Sequence, residues 1–236
     1  MRINTNVASL NSQESATNTQ NNLRNSLEKL SSGLRINKAS DDASGLAIAD
    51  KLRTQANSIG QSISNGNSAV ALTQIADKAM AEQSNILDIV KTKLIQAGTD
   101  TTSNEGREAI AKDVNKLLTQ LNNIATQTNY NGTTLLQGAS AGVSAGALTF
   151  QMGETSTDTI TTDGTVRSNT DGLGIDGLKS AANVGSAGVF AASNARSAMS
   201  LVDTALNTLN GWRADFGSTQ NQLESAVRNQ MTQQTN

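Results

Sequence analysis

From Ala191 to the C-terminus, apolar side chains recur at alternating steps of four and three residues, and this repeat restricts the fold more than any other feature. Spacing of this kind over several heptads predicts a long helix that packs against other helices as in a coiled coil. The sequence predicts that seven residues form this core seam: Met199, Val202, Leu206, Leu209, Phe216, Leu223 and Val227.

Two earlier segments supply the partner helices. One pattern runs from Leu46 to about Gln96, and a second places apolar residues at positions 110, 114, 117, 121 and 124. Gly60 and Gly66 interrupt the first pattern, so each marks either a bend or a close approach of a neighbour. The predicted fold class is mainly α, an elongated helical coiled-coil bundle.

The composition excludes several classes of function. The 236 residues include no proline, so nothing interrupts long helices from within, and no cysteine or histidine. The usual zinc ligands and the bases that activate nucleophiles are therefore missing. The net charge is −2, without a basic block that could follow a phosphate backbone. We expect no enzyme activity, no metal, no nucleic-acid partner and no membrane span.

One string resembles a cofactor motif. Residues 172–177 read GLGIDG, which matches the dinucleotide fingerprint. That fingerprint must follow an apolar strand and open a helix, and the sequence predicts neither here. We therefore expect no cofactor.

The N-terminal region carries a second apolar stripe. Leucines at four-three spacing predict a helix with a continuous apolar face, preceded by a thinner stripe in a polar stretch. The sequence offers no partner helix for this face, which we interpret as an assembly surface. Its residues are Ile3, Val7, Leu10, Leu23, Leu27, Leu30 and Leu34.

A short polar segment separates this stripe from the next helix. It begins at Gly33 and ends at Asp41 and Asp42. Carboxylates in the first turn of a helix favour its start through the helix dipole. The sequence therefore predicts a hinge between two helices, and Arg35, Ile36, Asn37, Asp41 and Asp42 lie in it.

The middle of the chain holds a helix and a region of turns and strands. Thr102 and Glu105 fit a capping box at the start of the helix, which is predicted to end near Thr128. Asn131-Gly132 predicts a tight turn, a more probable reading than a glycosylation acceptor. Alternation from Leu148 to Met152 and a threonine-rich run near residue 160 predict a β-hairpin region over about 132–188.

The amino-acid sequence of the hinge resembles a known signature. Residues 31–37 (SSGLRIN) and 41–49 (DDASGLAIA) closely resemble the N-terminal signature of bacterial flagellins. Residues 128–132 (TNYNG), the hairpin at 148–160, and the segments 202–205 and 220–223 resemble that family's turn, hairpin and C-terminal core helix. The resemblance extends over the whole chain, and the sequence resembles flagellins of the Campylobacter–Helicobacter type.

The resemblance implies a domain organisation and a function. Residues 1–44 would form an N-terminal inner helix of the filament core and its spoke, and residues 45–236 a core helical bundle with the hairpin region. We expect outer domains and a C-terminal inner helix to be absent. The implied function is a structural, self-assembling subunit of the flagellar filament that serves motility.

The resemblance also implies a location and partners. The protein would be secreted by the flagellar type III route to the bacterial flagellum. It would bind other flagellin subunits, an export chaperone and a cap protein. One alternative is the hook–filament junction protein of the same superfamily, and another is a generic helical secretion or binding module.

One expectation concerns the animal flagellin-sensing Toll-like receptor. In stimulating flagellins the long core helix carries the motif QRVRELAVQ, and residues 88–96 here read DIVKTKLIQ. Ile89 replaces a contacting arginine and Lys93 a contacting leucine, while Asp113 keeps the acidic character of a third contact. Weak or absent receptor activation is therefore expected.

Overall fold

The computed structural model describes residues 6–137, 147–162, 166–178 and 190–235. Four long helices carry most of this chain: α1 (Val7–Ser32), α2 (Ala43–Gly98), α3 (Asn104–Gln127) and α4 (Ala192–Thr235). The strands pair in two antiparallel hairpins, β1 (Asn129–Tyr130) with β2 (Thr133–Thr134) and β3 (Thr149–Gln151) with β4 (Thr159–Thr161). The prediction of a mainly α bundle with a small β-hairpin region is confirmed.

The chain divides into two compact units, Met1–Asn57 and Ser58–Asn236. The first unit contains α1 and the beginning of α2, and the second contains the remaining elements. The boundary predicted at residues 44 and 45 concerns the assembly domains of a filament subunit and stays a prediction. Of the assembly residues, Ile3 lies outside the described residues.

The second unit is built around one large apolar cluster. Residues of α2, α3 and α4 form it together with the chain after β2 and around residues 166–178. Met80, Leu118 and Leu209 are fully buried within it. On α3 the buried face includes Leu118 and Ala125, while the predicted Leu117 and Ile124 are half-buried beside it. The apolar face of a packed helix is wider than the strict heptad positions, which explains the shift.

The start of α3 differs from the predicted capping box. Its N-cap is Ser103, whose hydroxyl accepts the backbone N–H of Gly106 at 3.2 Å. The helix begins at Asn104, one residue later than the capping box predicts, and the Thr102 hydroxyl donates to the Gln96 carbonyl at 2.7 Å. The predicted end of the helix is confirmed, since Thr128 is the C-cap.

The C-terminus of α2 is unusually well capped by side chains. The last carbonyls of a helix have no partner within it. Here Arg107 donates from Nε to Ala97 O and from its terminal nitrogen to Thr99 O, at 3.1 and 2.9 Å. Arg196, at the beginning of α4, donates from Nε to Gly98 O at 3.0 Å and also binds Asp100. These bonds join the ends of three helices.

The two hairpins occupy different places in the second unit. Asn131 and Gly132 have φ of 50° and 81°, which gives the tight turn predicted between β1 and β2. The β3–β4 hairpin packs against the helices through Met152 and Ile160. An ideal Cβ on Gly66 would lie 2.5 Å from Cγ2 of Val227, so this glycine marks a close approach. Residues 138–146, 163–165 and 179–189 of the predicted region lie outside the described residues.

Candidate assembly surface

Helix α1 forms because both of its ends are capped, although nothing covers its sides. The Asn6 side chain accepts the backbone N–H of Ser9 at the N-terminus. At the C-terminus Gly33 adopts φ of 70° and its N–H binds the Lys29 carbonyl. Among the described residues of α1 none is buried. The helix therefore has capped ends but contributes no side chain to a core.

The predicted assembly residues on α1 are all exposed. Leu23, Leu27 and Leu30 are 58%, 55% and 80% exposed, and Val7 and Leu10 exceed 60%. Leu34 is exposed too, but it is not part of the helix, because Gly33 in the left-handed conformation ends α1 at Ser32. A row of exposed leucines on one helix face is unusual in a monomer, so this face is a candidate contact surface.

The predicted hinge is an ordered linker. One Asp41 carboxylate oxygen accepts the backbone N–H groups of Asn37 and Lys38, each at 3.2 Å, and the other lies 3.3 Å from Lys29 Nζ. The bond from the Asn37 N–H, followed by the Lys29 contact, lowers the pKa of Asp41. Lys38 also pairs with Glu28 at 2.5 Å. The linker is therefore tied back to the last turns of α1.

Asp42 starts α2, but not from within its first turn as predicted. The helix begins at Ala43, and Asp42 lies just before it. Its carboxylate accepts the N–H of Gly45 at 2.8 Å, while its carbonyl accepts the N–H of Leu46. Asp42 thus acts as an N-cap, where a side-chain acceptor satisfies an unpaired backbone donor.

The linker also lines a surface pocket within the first unit. The signature residue Ile36 is half-buried there and Arg35 is exposed. The pocket has a volume of about 360 Å³. Its lining residues are Leu34, Arg35, Ile36, Gly45, Leu46, Ala49, Asp50 and Arg53.

The beginning of α2 also carries exposed apolar side chains, which the predicted assembly residues do not include. Ile48 and Leu52 are each 59% exposed. Their separation by four residues places them on one face of the helix. This spacing could have indicated an exposed apolar face, but it also fits the long apolar pattern of α2 that predicts a buried one.

The core seam on α4 has the opposite environment. Val202, Leu209, Phe216, Leu223 and Val227 are buried. Met199 and Leu206 are half-buried and pack against the main apolar cluster. Arg213, which follows Leu209 by four residues on the same face, pairs with Asp77 of α2 at 3.0 Å. The seam is consequently occupied by the second unit's own helices and is not open for assembly.

The three positions named for receptor binding lie on the surface of α2 and α3. Ile89 is 47% exposed. Lys93 Nζ lies 3.4 Å from the Asp113 carboxylate, so these two side chains form an ion pair.

Two absences apply to the described part of the chain. Residues 6–137, 147–162, 166–178 and 190–235 contain no cluster of three or more acidic, histidine or cysteine side chains that could hold a metal ion. Within the same ranges, every helix is too short or too polar to cross a lipid bilayer.

Comparison with known proteins gives consistent results. Residues 3–141 match the family model described as the bacterial flagellin N-terminal helical region. The chain is 49% identical over 159 residues to Flagellin A of Helicobacter felis, which covers 67% of this chain and 30% of that protein. It is 52% identical over 138 residues to Flagellin B of Helicobacter pylori, covering 58% and 27%.

A solved structure agrees with these matches. The crystal structure of Bacillus cereus flagellin aligns with a TM-score of 0.58 and 25% identity, covering 71% of this chain and 88% of that one. The chain spans less than a third of the length of the two Helicobacter relatives. Because the family model matches more than half of the sequence, the chain belongs to the bacterial flagellin family.

Proposed function

We propose that the protein is a structural subunit of the flagellar filament and polymerises through its N-terminal helix. The observation that carries this proposal is the row formed by Leu23, Leu27 and Leu30 on a helix with no buried residue. Burying one such leucine in a neighbouring subunit contributes roughly 1.5–3 kcal/mol. Several leucines per subunit, repeated along a polymer, supply a large driving force for assembly.

Secretion and the remaining partners follow from this function. A filament subunit must leave the cell, so we propose the flagellum as its location. An export chaperone and a cap protein are the partners that this route requires. The exposed apolar stripe gives a reason for a chaperone, since exposed leucines favour aggregation before assembly.

The proposal is tested in the producing bacterium. One variant carries Leu23→Ser, Leu27→Ser and Leu30→Ser. The matched control carries Asn18→Ser, Asn21→Ser and Asn25→Ser, which lie on the opposite face of α1 by helical spacing. Filament length is measured by electron microscopy and secreted protein in the culture medium by immunoblot.

We expect the leucine variant to appear in the medium without filaments, and the asparagine variant to form filaments of normal length. Normal filaments from the leucine variant would contradict the assembly role of α1. Antibody labelling confined to the junction of hook and filament would instead favour the junction-protein alternative.

We also propose that the protein activates the flagellin-sensing Toll-like receptor weakly. Ile89 cannot make the charge-assisted bonds of an arginine, and Lys93 is paired with Asp113 where the stimulating motif has a leucine. Each change at an interface hot spot costs on the order of 2 kcal/mol.

A receptor reporter assay on purified protein tests this proposal. The double substitution Ile89→Arg and Lys93→Leu should raise potency by at least about tenfold, since it restores two hot-spot contacts. Ile75→Arg, at another exposed position of α2, serves as the control and should change nothing. Equal potency of the unaltered protein and the double variant would refute the proposal.

A further inference from the structure

Three asparagines in the sequence are followed directly by glycine: Asn65, Asn131 and Asn210. Glycine has no Cβ, so its backbone nitrogen can approach the side chain of the preceding residue with little hindrance. In an Asn-Gly pair that nitrogen can attack the asparagine Cγ. Whether it does depends on how easily the local backbone leaves its folded conformation.

Asn65 is held in place from several sides. It lies inside α2, where its side chain accepts a hydrogen bond from Gln61 at 3.0 Å and donates one to the Gln151 carbonyl at 3.3 Å. The adjoining Gly66 is buried against Val227 and Met152. Attack at this position requires both the helix and the packed hairpin to open.

Asn210 is exposed but lies well inside α4, which extends from Ala192 to Thr235. The backbone N–H of an interior helical residue is engaged in the helical hydrogen-bond ladder. Attack by the Gly211 nitrogen therefore requires several turns of α4 to unfold. The neighbouring Leu209 is fully buried, which makes that opening costly.

Asn131 has neither form of protection. It and Gly132 are exposed at the turn between β1 and β2, and the Asn131 side chain makes no hydrogen bond within the described part of the chain. Each of these strands has only two residues, so the turn can open without disturbing a helix. Short exposed hairpins open at a far lower free energy than helices that pack against a core.

We propose that Asn131 is a spontaneous modification site, where the asparagine converts to aspartate and isoaspartate. The Gly132 nitrogen loses its proton and forms a bond to Cγ of Asn131. The bond from Cγ to Nδ2 breaks, ammonia leaves, and a five-membered succinimide remains. One water then opens the ring at either carbonyl, giving aspartate or isoaspartate, and no other reactant is needed.

The modification alters a turn that directs apolar residues into the core. Leu135 and Leu136, which follow β2, are buried, and the Leu135 N–H binds the Thr128 carbonyl at the end of α3. Isoaspartate adds a methylene to the backbone of a two-residue turn and also adds a negative charge. Such a turn no longer fits the type I′ geometry that pairs β1 with β2. The junction after α3 should therefore loosen as the protein ages.

The test follows all three asparagines in the same molecule. The purified chain is incubated in mildly alkaline buffer, and peptide mapping by mass spectrometry quantifies aspartate and isoaspartate at each site. A parallel sample is incubated in concentrated urea. In the folded protein we expect Asn131 to convert at least about tenfold faster than Asn65 and Asn210, because its backbone opens at lower free energy. In urea the three rates should fall within about a factor of two of one another.

Two outcomes would overturn the proposal. Equal rates at the three sites in the folded protein would show that the turn is as well protected as the helices. A faster rate at Asn131 that persists in urea would assign the difference to the local sequence and not to the structure. Neither readout depends on filament assembly, so the proposed function can fail while this inference stands.

Discussion

Leu27 in α1 and Leu209 in α4 belong to apolar repeats of the same spacing, yet Leu27 is 55% exposed and Leu209 is fully buried. In the first unit both ends of α1 are capped and hydrogen bonds hold the linker, but none of the described residues of α1 is buried. The second unit buries its repeat among α2, α3 and α4. A four-three repeat thus shows that a helix has an apolar face, without showing which chain covers it.

The strongest test of this comparison replaces one leucine in each unit by alanine. Leu209→Ala should lower the free energy of unfolding of the second unit by about 2–5 kcal/mol, because it leaves a cavity in a packed core. Urea titration monitored by Trp212 fluorescence measures it, since Trp212 packs against the main apolar cluster.

Leu27→Ala should change the same transition by less than about 0.5 kcal/mol, as exposed substitutions do. A loss comparable to that of Leu209→Ala would mean that α1 contributes to the core after all.

A second test compares two arginines. Arg196→Ala should destabilise the second unit by about 1–3 kcal/mol, because it removes the donor bound to the buried Gly98 carbonyl, while the pair with the exposed Asp100 adds little. In the first unit Arg53 pairs with Asp50 on the same exposed helix surface, so Arg53→Ala should cost less than about 0.5 kcal/mol. Thermal unfolding followed by circular dichroism measures both, and similar losses would contradict the capping role of Arg196.

A third test compares two glycines of the second unit, one with close neighbours and one without. Gly66→Ala should destabilise it by a net amount of about 1–2 kcal/mol, because the overlap with Val227 and Met152 outweighs the better helix propensity of alanine. Gly211→Ala, which meets nothing within 4 Å, should stabilise the protein by about 0.5–1 kcal/mol. Both are read from the midpoint of urea unfolding, and stabilisation by both would disprove the close approach at Gly66.

The smallest expected effect is a local response to acid. The pKa of Asp41 is lowered by the Asn37 N–H and by Lys29, so this carboxylate stabilises the folded linker above the unfolded pKa. That stabilisation is lost as the pH falls through the lowered folded value, below about pH 4. The protection factors of the Asn37 and Lys38 amides, which compare their exchange rates with those of an unfolded chain at the same pH, should fall there when measured by NMR.

Asp41→Asn should remove this pH dependence and thus serves as the control. In the second unit Asp158, whose pKa is lowered by the Thr155 hydroxyl and N–H, should respond in the same direction at the β3–β4 hairpin. If the protection factor of the Asn37 amide stayed constant across this range, the Asp41 carboxylate would not be holding the linker.

The sequence by itself determined the helices, the linker and the turns. These are local signals, because backbone conformation depends mainly on neighbouring residues. They are the absence of proline, the apolar repeats at helical spacing, Gly33 at the end of α1 and the Asn131-Gly132 turn. The same signals led to the flagellin family. They failed at Leu34, which the repeat placed in the helix and which the C-cap at Gly33 excludes.

Only the tertiary structure decided which polar side chains hold the elements together. Arg196 binds a carbonyl 98 residues earlier, and Gln83 is buried with its amide nitrogen bound to the carbonyls of Leu121 and Ser168, each at 3.1 Å. Ser103 and not Thr102 caps α3, and the Thr102 hydroxyl instead donates to a carbonyl near the end of α2. Such choices depend on which donors and acceptors meet in space, and residue spacing along the chain does not show which distant polar group a side chain will meet.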